Sequence, residues 1–319
     1  MRRSIAVLLT ALLISQTFAG LSFAYWIWTP QTGKFINPKH AAKETPQKQL
    51  EWAVSFFESE DYKRAIAEFQ KMIKHYPLSK LTSEAQFYLG LCYENTGEYY
   101  RAFENYQLVI DKYPYTERVG EIIEREYRIG NLFYTGQKAK ILGMAILPAK
   151  GKAVEILSKV VENAPYGKYA DIAQYKLGQC YIEMQDYINA ALAFKEIIEN
   201  YPKSPLVDDA KYQIAICAAS STSGPEYNEE DTDKAIKEFR DFVKRYPDSS
   251  MEKEARKFIS KLENQKAQNS FNIAQFYERQ KNFSSAVIYY EEILNKYPES
   301  ELAPQAMEEL QIIRKQAKK

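Results

Sequence analysis

Three cysteines, Cys92, Cys180 and Cys217, and two histidines, His40 and His75, are the side chains able to supply a thiolate nucleophile, redox chemistry or soft metal ligands. Their spacing supports none of these. His40 lies in a linker and His75 stands beside Tyr76-Pro77, so neither a paired-histidine metal site nor a Ser-His-Asp arrangement forms. No phosphate-binding loop and no G-x-G-x-x-G occurs. Acidic pairs such as Glu229-Glu230 stand in polar surroundings, without an apolar pocket to move a carboxyl pKa. No catalytic residue, metal or cofactor is therefore expected, and the cysteines become a question of position.

A repeat fixes that position. Tyr-Pro recurs at Tyr76-Pro77, Tyr113-Pro114, Tyr201-Pro202, Tyr246-Pro247 and Tyr297-Pro298, with a degenerate copy at Ala164-Pro165. Twelve residues before each proline stands an alanine: Ala65, Ala102, Ala153, Ala190, Ala235 and Ala286. Four residues after each alanine comes a large side chain: Phe69, Tyr106, Leu157, Phe194, Phe239 and Tyr290. Ahead of these lie Leu89-Gly90-x-x-Tyr93, Ile129-Gly130-x-x-Phe133, Leu177-Gly178-x-x-Tyr181 and Ile273-Ala274-x-x-Tyr277, with looser copies at Trp52-Ala53-x-x-Phe56 and Ile214-Ala215. A small residue lets two helices approach, and the aromatic fills the gap beside it. The pattern resembles the tetratricopeptide (TPR) repeat. It predicts an all-α, TPR-type α-solenoid of six helix pairs, about 46–79, 83–116, 120–167, 171–204, 208–249 and 267–300. Each cysteine falls two residues after the small residue at a helix crossing, so all three are expected to be buried thiols outside any disulfide.

The elements end for physical reasons. Each proline stops a second helix, and Ser79, Thr116, Gly167, Ser204, Ser249 and Ser300 are assigned as caps for the helix that follows. Two insertions break the template. About eleven residues around Lys138 to Pro148 are apolar and predict a longer helix, or a loop, that either folds back or contacts a partner or membrane through Ile141, Leu142, Met144 and Ile146. A polar stretch from Ser220 to Thr232 predicts a solvated loop without a cation site. From Ser249 to about Gln280 no Gly or Pro occurs, which predicts one long helix or two with a bend.

The N-terminus reads as an export signal: Arg2 and Arg3, then an apolar stretch from Ile5 to Ile14, then small residues up to Ala24, after which cleavage is expected. The same stretch, uncharged from Ser4 to Trp28, would also serve as a retained anchor. No cysteine adjoins it to carry a lipid. Tyr25 to Ile36 predicts strand, turn and strand, with Gly33 at the bend and Trp26 and Trp28 offered to a partner or membrane. The organisation expected is a signal at 1–24, a hairpin and linker at 25–45, N-terminal repeats at 46–167 and C-terminal repeats at 168–319.

With 43 basic and 42 acidic residues mixed along its length, the chain has no electrostatic footprint for nucleic acid. Its expected partners are proteins. TPR arrays bind along the surface lined by their first helices, and the position three before each crossing residue is assigned to that groove: Leu50, Phe87, Tyr127, Tyr175, Tyr212 and Phe271. Asn95, Asn131 and Gln179 would bond a peptide backbone. Packing between repeats is the competing role for each ring.

The chain resembles two families. Asp186-Tyr187, Ala190-x3-Phe194 and Tyr201-Pro202, the interrupted fifth repeat, Ala235-x3-Phe239 and Tyr246-Pro247-Asp248-Ser249, the long linking helix, and Ala274-x-Phe276-Tyr277 with Tyr297-Pro298 resemble the BamD family of β-barrel assembly factors. The resemblance covers about residues 46–315. It implies a non-enzymatic subunit at the periplasmic face of the outer membrane, binding unfolded outer-membrane proteins and a BamA-type barrel. It implies substrate recognition by Phe87, Tyr127 and Tyr175 and docking through 249–300. The first two repeats are also similar to the TPR tail of CpoB (YbgF), the soluble periplasmic coordinator of the Tol-Pal system, although no coiled-coil heptads precede them.

Overall fold

The computed structural model describes residues 27–29, 33–36, 41–136, 139–141, 144–147, 149–221 and 229–316. The proposed cleavage point, Trp26 and Leu142 lie outside them. Thirteen helices occur among the described residues: α1 (Pro46–Glu58), α2 (Tyr62–His75), α3 (Thr82–Asn95), α4 (Tyr99–Lys112), α5 (Val119–Tyr134), α6 (Ala149–Asn163), α7 (Ala170–Glu183), α8 (Tyr187–Asn200), α9 (Val207–Ser221), α10 (Glu229–Arg245), α11 (Glu252–Arg279), α12 (Phe283–Lys296) and α13 (Ala303–Gln316). The fold is an all-α TPR solenoid, accompanied by two short hairpins. Its contacts divide the chain into a first unit ending at Asn95 and a second beginning at Thr96.

Turn chemistry places the helices. In the α1–α2, α7–α8 and α11–α12 turns, Glu60, Gln185 and Lys281 take left-handed φ angles of 60°, 60° and 59°, and Gly97 holds the same place ahead of α4. The next residue then caps the second helix: the side chains of Asp61, Asp186 and Asn282 accept the N–H of Arg64, Asn189 and Ser285. At the other end the Tyr-Pro turns close on a backbone bond, with Thr116 N–H donating to the Tyr113 carbonyl at 3.0 Å and Ser204 N–H to that of Tyr201 at 2.9 Å. The hydroxyls of Ser79, Thr116, Ser204 and Ser249 accept an N–H two residues on, at 3.2–3.4 Å. These residues are therefore not immediate helix caps. They brace an extra turn, and α3, α5, α9 and α11 start three residues later.

The first unit holds β1 (Ile27–Thr29), β2 (Lys34–Ile36) and α1 to α3. Trp28 pairs with Phe35 across the hairpin, ring centroids 5.1 Å apart, and Gly33 supplies a left-handed φ of 61°. Among its helices, Phe69 stacks flat on Tyr88 at 5.4 Å while Ala53, Ala65 and Ala85 are wholly enclosed.

In the second unit the repeat rule becomes visible as packing. Ala102, Ala153, Ala190, Ala235 and Ala286 are fully buried, as are the large residues one turn later, Tyr106, Leu157, Phe194, Phe239 and Tyr290. Each buried large side chain contributes about 1.5–3 kcal/mol. Two helix-crossing glycines are covered by these residues: the Phe194 ring lies over Gly178, and Leu157, with Ile156 beside it, lies over Gly130. The cysteines follow the same rule and are buried thiols outside any disulfide.

Three features differ from the repeat template. The apolar insertion is neither a longer helix nor a plain loop, but two short antiparallel strands, β3 (Ala139–Ile141) and β4 (Met144–Leu147). Gly143, between Ile141 and Met144, interrupts any helix across the insertion, and Ile141 and Ile146 are β-branched. The acidic end of the second insertion is helical rather than loop, because Glu229, Glu230 and Asp231 form the first turn of α10, where negative charge suits the helix dipole. Beyond the sixth pair, α13 closes the array with Ala306, Leu310 and Ile313 buried against α12.

The stretch after Ser249 is a single helix. The first half of α11 packs Ala255 and Leu262 with Phe239 and Phe242 of α10, and its second half packs Phe271 and Ala274 with Tyr290 and Ile293 of α12. Between the halves, Lys266 is 5% exposed. Its ammonium bonds Asp233 and lies 3.1 Å from Glu229, so the start of α10 is tied to the middle of α11.

Candidate protein-binding surface

The aromatic ladder assigned to the groove is largely core. Phe87 is 1% exposed, and Tyr212 and Phe271 are buried as well. Tyr212 packs its ring 6.0 Å from Phe239 and 5.6 Å from Phe242, and Phe271 meets Tyr290 at 5.4 Å. The reason is helical geometry. A residue three positions before the crossing residue shares its face, so it turns inward with it. Phe87, Tyr212 and Phe271 are thus packing residues, without surface for a ligand. Tyr127 and Tyr175 are half-buried: Tyr127 stacks on Tyr169 at 4.8 Å, and Tyr175 meets Phe194 edge-on at 5.2 Å.

The amides fare differently. Asn95 is exposed at the end of α3, where its Nδ2 donates to the Leu91 carbonyl at 2.9 Å. Asn131 and Gln179, one position after their crossing glycines, are half-buried on α5 and α7. Their two helices also carry members of a cluster that spacing along the sequence does not reveal. The Tyr134 ring lies 4.4 Å from the Lys150 ammonium and 4.9 Å from that of Lys176. Lys150 also donates to the Tyr134 carbonyl at 2.5 Å and pairs with Glu183. Burial lowers the Lys176 pKa, while burial and the nearby Glu183 charge raise that of the Tyr134 phenol. Tyr134 and Asn131 come from α5, Lys150 from α6, and Lys176, Gln179 and Glu183 from α7. Two ammonium groups beside an aromatic ring and two amides make a surface that accepts carbonyl or carboxylate oxygens and one apolar side chain of an extended peptide. The signal available in sequence was the cation two positions before a crossing glycine, Lys176, but its ring partner stands forty-two residues earlier.

Among the described residues one carboxylate lies entirely inside. Glu126 on α5 is 0% exposed and accepts a bond from Gln107 Nε2 at 2.7 Å. Its second oxygen faces Asn163, yet neither Glu126 Oε2 nor Asn163 Nδ2 completes a good hydrogen bond. Burial pushes the carboxyl up to about 8; Asp111 adds to the rise, while Gln107, Asn163 and Lys159 oppose it. The thiols are equally removed from reactivity, since burial pushes Cys92 and Cys217 up to about 12 and Cys180 to about 11. None presents a thiolate at neutral pH. Of the insertion residues, Ile141 lies on β3 and Met144 and Ile146 on β4, with Ile141 opposite Met144 in the register.

The family model of YfiO, outer membrane lipoprotein, matches residues 149–318. The chain belongs to the YfiO family. The matched region runs from α6 through α13 and includes the interrupted fifth repeat and the undivided α11. A tetratricopeptide-repeat model matches residues 50–116 ahead of it. Among curated relatives of this YfiO member, outer membrane protein assembly factor BamD of Caulobacter vibrioides is 23% identical over 156 residues, 49% of this chain and 51% of that protein. The chain thus matches about half the length of that relative. Among solved structures, the C-terminal part of a TPR protein from Cytophaga hutchinsonii is 18% identical, covering 82% of this chain and 87% of that one at a TM-score of 0.34. A TPR protein from Parabacteroides merdae is 16% identical, covering 85% and 100% at 0.34. At these scores the structural likenesses add nothing to the family assignment. No helix among the described residues is long and apolar enough to cross a membrane.

Proposed function

We propose that this YfiO-family chain is a non-enzymatic scaffold of the cell envelope, of BamD type, assisting the assembly of β-barrel proteins into the outer membrane. The observation that carries this reading is the family match over residues 149–318, together with the likeness of half the chain to an outer membrane protein assembly factor. In this reading the protein works in the periplasm, at the inner face of the outer membrane, and its partners are an unfolded outer-membrane protein and a BamA-type barrel. The unfolded segment lies on the α5–α7 surface, where Lys150 and Lys176 receive main-chain oxygens, Asn131 and Gln179 bond the backbone, and the exposed edges of Tyr127 and Tyr175 flank the peptide. Residues 249–300, stiffened by α11, form the docking side for the barrel. The Trp28–Phe35 hairpin, with both rings exposed, supplies a further contact for a partner.

Purification of the full chain from its own envelope, followed by identification of the bound proteins, tests the proposal. A BamA-type barrel among them supports it. Recovery of Tol or peptidoglycan-synthesis proteins with no such barrel would replace it with the CpoB-like role.

A further inference from the structure

The two ammonium groups of the Tyr134 cluster are not equivalent. Lys150 already has its counterion, since it pairs with Glu183 and also donates to the Tyr134 carbonyl at 2.5 Å. Glu183 is occupied in turn, because the Tyr134 phenol bonds it as well. Lys176, whose ammonium lies 4.9 Å from the centre of the same ring, pairs with no carboxylate among the described residues. Two cations thus face one carboxylate, and a single positive charge is left over.

Other lysines show what burial ordinarily requires. Lys71, Lys150, Lys152, Lys159 and Lys266 are partly or wholly buried, and each lies against a carboxylate. Lys176 and Lys211 are half-buried without one among the described residues, and Lys211 stands on α9, outside the cluster. Burial lowers the Lys176 pKa, and no neighbouring carboxylate restores it. Only the Cys180 thiol acts the other way, and that thiol is itself buried and protonated at neutral pH. Gln179 and Glu183 follow Lys176 by about one and two turns of α7, so the three share a face.

We infer, on the peptide-binding reading of this surface, that Lys176 selects for a carboxylate, so that the segment bound there carries an acidic group beside an apolar side chain. A main-chain carbonyl accepts a hydrogen bond from the ammonium but leaves its charge unbalanced in a half-buried place. A carboxylate supplies both the acceptor and the charge. One uncompensated cation matches one carboxylate, whereas a phosphate dianion would exceed it. The Tyr134 ring beside the ammonium receives the neighbouring apolar side chain. An acidic side chain and the free end of a chain present the same pair of oxygens, and either source fits.

Three dansyl-labelled peptides of one short sequence of serine, threonine and phenylalanine test this against the full chain by fluorescence anisotropy. One ends in a free carboxylate, one ends in an amide, and one ends in an amide but carries a single internal glutamate. At least one acidic form binds about tenfold more tightly than the plain amide. Preference for the free end assigns the carboxylate to a chain terminus, preference for the glutamate form assigns it to a side chain, and equal preference admits both. Lys176→Gln removes the preference and leaves the plain amide bound as before, while Lys176→Arg, which keeps the charge, retains it. Neutralising Lys176 takes away a burial cost, so the variant keeps its fold, which circular dichroism checks. Equal affinity for all three peptides overturns the inference and leaves the peptide-binding surface standing. A preference that survives Lys176→Gln also overturns it, since the carboxylate is then read elsewhere. If none of the three binds, the surface itself is wrong and the selectivity falls with it.

Discussion

The Phe194 ring lies so close over Gly178 that a Cβ on that residue would stand 2.5 Å from its Cζ. The ring has nowhere to go, since Phe194 is wholly buried among α7, α8 and α9. Gly178→Ala is therefore expected to lower unfolding free energy by about 1–3 kcal/mol, the usual cost of overpacking, despite the better helix propensity of alanine. Urea denaturation of the two proteins measures it. An unchanged midpoint would show that the crossing yields.

Glu126 makes stability depend on pH. Its carboxyl titrates near 8 when folded and near 4.5 when exposed, so the native state holds the extra proton between those values. Stability is fully present below about 4.5 and declines as pH rises toward 8, with a slope of at most about 1.4 kcal/mol per pH unit. Glu126→Gln keeps the bond to the Gln107 side and removes the charge, so its stability curve is flatter and lies above the wild type at pH 8. Thermal melts from pH 5 to pH 9 compare them, and parallel curves would remove Glu126 from the account.

The left-handed turns offer a gain. Gln185 holds a φ of 60° that glycine adopts without strain, and its side chain is exposed. Gln185→Gly should raise stability by roughly 0.5–1 kcal/mol, whereas Gln185→Val should lower it. If glycine destabilises, unfolded-chain entropy outweighs the strain at this turn.

Binding and packing separate by mutation. Lys176→Glu reverses a charge beside Tyr134 and is expected to weaken binding of an extended outer-membrane-protein peptide by about tenfold or more with helicity unchanged. Phe87→Ala empties a core position and should instead lower stability by about 3–5 kcal/mol. Fluorescence anisotropy and circular dichroism on both variants distinguish the effects. Equal peptide affinity for Lys176→Glu and the wild type would move the binding surface elsewhere.

Much of the fold was legible because the repeat repeats a physical constraint. Ala190, Phe194 and Pro202 each say one thing about helix contact or helix end, and copies in phase say it louder. The hairpin at Trp28 and Phe35 was legible through Gly33. The groove was not. Position in a repeat indicates which residues share a face, but not whether that face meets a groove or the neighbouring helix, and Phe87, Tyr212 and Phe271 meet the helix. The Tyr134 cluster was hidden for the opposite reason: its members have no fixed spacing, and an insertion separates Tyr134 from Lys150. Lys266 was hidden likewise, since its carboxylate partners begin a helix that the acidic composition of the insertion disguised as loop.

The undivided α11 sets the fifth and sixth repeats apart from the rest. Elsewhere a turn, Tyr-Pro or Ala164-Pro165 in the degenerate repeat, ends one pair before the first helix of the next begins, so that each pair meets its neighbour only across an interface. Where one helix supplies the wall of both, a pair cannot be lost without splitting its neighbour. The helices from α10 to α12 should therefore melt as one block in hydrogen exchange, and lineages that gain or lose repeats would do so ahead of Ser249, leaving this welded segment intact.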